Sequence, residues 1–84
     1  MTTEIWIEVD RKRRVFSLVV RTDDKVVIDN LLANGYVMDD KNILRKEFPH
    51  LDDAGREREW ICYNVRKAGL KVRKSRWKLV AESP

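Results

Sequence analysis

Ile5, Ile7 and Val9 alternate with Trp6, Glu8 and Asp10, the two-residue period of a strand buried on one face. Val15-Phe16-Ser17-Leu18-Val19-Val20 is an almost unbroken β-branched and aromatic run, which predicts a central strand covered on both sides. The polar link Asp10-Arg11-Lys12-Arg13-Arg14 is short enough to join the two as a hairpin. The period then changes. Val27, Ile28, Leu31 and Leu32 recur at helical spacing, Thr22-Asp23-Asp24 supplies an N-cap, and Asn34-Gly35 supplies a left-handed stop.

Tyr36-Val37-Met38 reads as a short strand turned by Asp39-Asp40-Lys41-Asn42 into Ile43-Leu44, although Asn42 to Phe48 also suits a helical turn. A second helix starts near Asp52 or Asp53, one of which caps it. It places Ala54, Ile61, Val65 and Ala68 on one face with Trp60 beside them, and Gly69 closes it. Leu70 and Val72 alternate with Lys71 and Arg73. Lys74-Ser75-Arg76 reads as a turn into a strand from Trp77 to Ala81. The predicted fold is a small α+β two-layer domain, an antiparallel sheet of two hairpins with two α-helices on one face. Within a single domain spanning 1–84, the N-terminal hairpin covers about 4–21, the helices about 23–34 and 52–68, and the C-terminal hairpin about 70–82.

An echo runs through the pattern. Asn30 to Met38 and Asn64 to Val72 align at an offset of 34 residues, each reading helix, glycine stop, strand.

Charge changes the picture most. Residues 1–21 hold five cations and three acids, 22–63 hold six cations and ten acids, and 64–84 hold seven cations and one acid. Such a chain is dipolar, with an acidic middle and basic ends. Between Asn64 and Lys78 lie Arg66, Lys67, Lys71, Arg73, Lys74, Arg76 and Lys78 without an intervening acid. Arginine grips phosphate bidentately and lysine neutralises it, so this stretch is the leading candidate for phosphate contacts. Arg11, Lys12, Arg13 and Arg14 form a second basic patch, and Trp77 and Tyr36 are candidate base-stacking residues.

Catalytic chemistry has little to build on. His50 is the only histidine and stands in the loop before the second helix, where a solvent-exposed ring is expected. Cys62 is the only cysteine and lies mid-helix among Trp60, Ile61 and Tyr63, which points to a buried thiol. The aspartate pairs at 23–24, 39–40 and 52–53 lack calcium-loop spacing and fit helix starts and turns. No enzyme activity, metal or cofactor is expected. The lone cysteine, the lack of a signal-like N-terminus and the absence of a long apolar run suggest a cytoplasmic protein.

The segment from Val65 to Trp77 resembles the helix–glycine–hairpin of the HicA-type toxins, which have a double-stranded-RNA-binding-like fold. That family carries a catalytic Gly-Ser-His in the hairpin, where this chain has Lys74-Ser75-Arg76, so the resemblance implies no nuclease activity. The sequence therefore points to a small basic nucleic-acid-binding protein, of DNA or RNA. Its alternative is an inhibitor or adaptor, of the phage or mobile-element type, docking a partner protein through its polarised charge. Asp23, Asp24, Asp29, Asp39, Asp40, Asp52 and Asp53 favour that alternative, because phosphate contact gains nothing from them.

Overall fold

A computed structural model describes residues 2–75 together with 78 and 79. Its elements in chain order are β1 (Thr2–Asp10), β2 (Val15–Arg21), α1 (Lys25–Ala33), β3 (Val37–Met38), β4 (Ile43–Phe48), α2 (Leu51–Lys67), β5 (Lys71–Lys74) and β6 (Lys78–Leu79). They form an α+β fold with one mixed sheet in the order β3-β4-β2-β1-β5, with β6 also paired to β1.

The N-terminal hairpin forms as its alternation predicts, with Trp6 opposite Val19 and Asp10 opposite Val15. Asp10 Oδ1 accepts a hydrogen bond from the Arg13 amide at 3.1 Å, and Arg14 takes a left-handed φ of 55° to close the turn. β2 is central between β1 and β4, and its Val19 and Val20 point to opposite faces yet are both fully buried. The segment from Ile43 to Phe48 is a strand antiparallel to β2.

Among the described residues the expected C-terminal hairpin is not formed. β5 and β6 both run parallel to β1, as one interrupted edge strand. α2 is 17 residues long and carries the chain back along the whole sheet, so the next strand starts beside Thr2 and runs the same way as β1. Ile5 faces Lys74 and Glu8 faces Lys78, so both described pieces keep the direction of β1. The Ser75 amide still donates to the Ile5 carbonyl at 2.9 Å.

One cluster joins Ile5, Ile7, Leu18, Val20 and Leu44 of the sheet to Val27 and Leu31 of α1 and Ala54, Ile61, Cys62 and Val65 of α2. Burial pushes the Cys62 thiol pKa up, as expected for a packed apolar group. The opposite face carries a smaller cluster of Trp6, Val19 and Ile43. Trp6 is only 4% exposed, although its strand position is on the side of Glu4 and Glu8.

Asp24 caps α1, accepting from the Val27 amide at 3.1 Å. The cap of α2 differs from expectation. Its N-cap is His50, which makes no side-chain cap bond, while Asp52 and Asp53 lie inside the first turn and favour the positive end of the dipole. Both helices end in the same Schellman motif. The Tyr36 amide donates to Leu31 at 3.0 Å across Gly35, and the Leu70 amide donates to Val65 at 3.2 Å across Gly69. Both glycines have positive φ, 89° and 85°. The echo at an offset of 34 residues is thus two copies of one helix stop.

Candidate nucleic-acid interface

The face of the sheet opposite the helices is a charge network built on register. Glu4 on β1 lies opposite Arg21 on β2, and their side chains pair at 3.5 Å. Glu8 accepts from Arg45 Nε at 3.3 Å and from the Trp6 indole at 3.2 Å. Arg45 reaches Asp39 at 3.0 Å with a second nitrogen, and the Arg21 guanidinium stands 5.4 Å from the Trp6 ring centroid. Glu4 and Glu8 are therefore already matched by Arg21 of β2 and Arg45 of β4.

Beside that neutralised face lies the cationic edge. Lys71 and Arg73 occupy the register positions of Thr2 and Glu4, and both are exposed. Parallel partners share a face, so these two cations rise on the side of the sheet opposite the helices. Neither makes an ion pair among the described residues. Lys74 turns the other way, and its ammonium is held by Glu59 of α2 at 3.2 Å. It is a strut between edge and helix rather than an open phosphate ligand.

Arg66 and Lys67 are exposed at the end of α2, but they diverge. Arg66 follows Glu59 by seven residues and so lies on the stripe facing β5. Lys67 follows Trp60 by seven and stands on the other side, with its ammonium 5.9 Å from the Tyr63 ring centroid. Only Arg66 adjoins the edge.

The second patch is split in the same way. Arg11, Lys12 and Arg14 are exposed at the hairpin tip without ion pairs among the described residues, whereas Arg13 makes a bidentate pair with Glu47, at 2.9 Å through one nitrogen. β1 separates this tip from Lys71 by its full length, about 25 Å for a nine-residue strand. The edge strand spans that gap, since Lys78 has reached the register position of Glu8. Lys71 and Arg73 thus stand on the edge strand, with Arg66 on the helix side of that edge and Arg11, Lys12 and Arg14 at the far end of β1.

Tyr36 is not available for stacking. It is 3% exposed, placed in the core by the Schellman motif that seats the residue after the glycine on Leu31. Burial, followed by the charge of Glu57, pushes its hydroxyl pKa far up. Arg76 and Trp77 lie outside the described residues, as does the side chain of Lys78. The aromatic side chains that sequence reasoning did not single out are Trp60 and Tyr63, 56% and 64% exposed on α2. Helical spacing alone could have found them, since Trp60 sits at the margin of the stripe carrying Ile61 and Val65.

His50 is exposed before α2. Among the described residues, no three His, Cys, Asp or Glu side chains are placed to hold a metal ion, and no helix is long and apolar enough to cross a membrane.

The acidic residues are structural in part. Besides Asp24 at its cap, Asp39 accepts from the Lys41 and Ile43 amides at 2.8 and 3.1 Å, which holds the β3–β4 turn and depresses its carboxyl pKa. Arg45 adds to that depression. A group with a lowered folded pKa stabilises the fold above its unfolded value, about 4, and loses that contribution as pH falls through the folded value. Asp39→Asn is therefore expected to destabilise the protein at neutral pH and to flatten the acid limb of its stability curve. Urea midpoints measured between neutrality and pH about 3 check this. The exposed Asp23, Asp29, Asp40 and Asp52 make no ion pair among the described residues.

The chain matches no protein-family model, and no curated protein or solved structure is similar enough to indicate a relationship.

Proposed function

We propose that this chain is a small, non-enzymatic, intracellular nucleic-acid-binding protein that contacts phosphates along its cationic sheet edge. One observation carries the reading: Glu4 and Glu8 of the neighbouring strand are engaged by Arg21 and Arg45, while Lys71 and Arg73 make no ion pair among the described residues. Exposed cations without partners, on a rigid strand, are what phosphate contacts require. Arg66 adds a cation at the end of α2 just before β5, and Arg11, Lys12 and Arg14 add three at the far end of β1. Lysines on an edge strand also discourage sheet-to-sheet aggregation, which would account for Lys71 without any ligand. That purpose gives no reason for the exposed cations at Arg66 or at the hairpin tip.

The competing reading is a small inhibitor or adaptor that docks a protein. It is favoured by the end of the sheet where Arg21 faces Ile43. There the segments holding Asp23 and Asp40 leave side by side, both exposed. A basic partner would meet these carboxylates.

Titration of a labelled duplex and a labelled single strand at about 50 mM salt separates the two readings. Micromolar-range binding of at least one is expected. Failure of both, with the protein folded, removes the nucleic-acid reading and leaves the protein-docking one.

A further inference from the structure

Away from the cationic edge, the two helices do not close on each other. Between them lies an open groove of about 450 Å³ whose floor is Val27, Leu31, Ile61, Val65 and Leu70. Its rims carry Val26 from α1, 68% exposed, and Trp60 from α2, 56% exposed. A large apolar residue left in water on each lip of an apolar trough is the signature of a docking surface.

The two walls differ in charge. α1 and the two residues before it bring Asp23, Asp24 and Asp29 against a single Lys25. From Trp60 onward, α2 bears Arg66 and Lys67 and no acid, with Lys67 on the rim side beside Trp60. The helices are antiparallel. α1 starts at the end of the sheet where Arg21 meets Glu4, and α2 stops at the same end, where β5 begins beside Thr2.

We propose that this groove is closed by a second copy of the chain, in an isologous dimer whose two-fold axis runs along the groove. That axis lays each α1 across the partner copy's α2 with the two antiparallel. The acidic start of one helix then meets the basic end of the other, twice, and the dipole ends are matched as well. A foreign helix seated in the trough would need opposite charges on its two sides to satisfy the same walls. A second copy carries them already. Trp60 of each copy enters the other's groove and supplies the central apolar anchor. β1's cationic neighbour β5 stays uncovered in both copies, so the dimer is independent of the phosphate-binding proposal and compatible with it.

Sedimentation equilibrium of the full chain tests this. The unmodified protein is expected to approach twice its 10.0 kDa mass at about 100 µM, with dissociation in the micromolar range. Trp60→Glu is expected to weaken association by about a hundredfold while circular dichroism shows an intact fold. Asp23→Lys and Lys67→Glu are each expected to weaken self-association by about tenfold. A mixture of those two variants is expected to recover it, because the heterodimer restores an opposite-charge pair at both contacts. A monomeric unmodified protein at that concentration overturns the proposal. So does a dimer that survives Trp60→Glu, a mixture that fails to recover, or a groove that stays open in the free chain and is covered only by a different protein.

Discussion

Leu18→Ala is expected to cost about 3 kcal/mol and to leave much of the protein unfolded at physiological temperature. Leu18 is wholly buried on the central strand, in the cluster to which both helices contribute. The deletion removes transfer energy and opens a cavity that rigid neighbours on β1 and β4 cannot refill. A domain of this length holds about 4–13 kcal/mol of stability, so one such loss is a large fraction of it. Urea unfolding followed by far-UV circular dichroism measures the change as a shift in midpoint at constant slope. Cys62→Ser, also fully buried, should cost less, about 1–2 kcal/mol, because a hydroxyl replaces a thiol of similar size without a ready partner.

The second large effect is electrostatic. With Lys71, Arg73 and two of the other four cations each neutralising one phosphate, duplex binding is expected to fall about a hundredfold between roughly 50 and 200 mM salt. Removing Lys71 and Arg73 together, as Lys71→Ala with Arg73→Ala, is expected to weaken binding by about tenfold or more and to lower the salt slope by about two. Arg11→Ala with Lys12→Ala should cost less, since the tip is a full strand length from Lys71, whereas Arg66 precedes β5 directly at the end of α2. Equal losses would mean a diffuse field rather than a track. A larger loss from the tip would move the site to the hairpin.

Much of the fold was legible because its signals are local. The alternation of Ile5, Ile7 and Val9 gave β1, Asp24 gave the start of α1, and Gly35 and Gly69 gave two helix stops that the structure realises with positive φ. The edge strand was misread for a physical reason. Lys74 and Ser75 are polar although they continue an edge strand beside β1, and in a sequence such a stretch looks like a turn. Parallel pairing to β1 depends on where α2 delivers the chain, which no local pattern encodes.

The same gap affected the site. Sequence proximity grouped Arg66 with Lys67 and Lys71 with Lys74, whereas helix and strand geometry send each pair in different directions. Lys74 and Arg13 were counted as open cations but are engaged by Glu59 and Glu47, fifteen and thirty-four residues away. Pairings at such separations are invisible without topology. Tyr36 was within reach, since the residue after a Schellman glycine packs back onto its helix. Trp6 was not, because its strand position reads as exposed, whereas it is buried in a cluster with Val19 and Ile43 of neighbouring strands.

The most direct test of the phosphate-binding edge is a map of amide chemical shifts as a short duplex is added to isotopically labelled protein at low salt. The account predicts that the largest changes fall on Lys71 to Lys74, on Arg66 and on Arg11 to Arg14, while amides of α1 and the β3–β4 turn stay in place. Changes concentrated on Asp23 to Asn34 or on Asp39 to Asn42, with the edge strand unmoved, would contradict it.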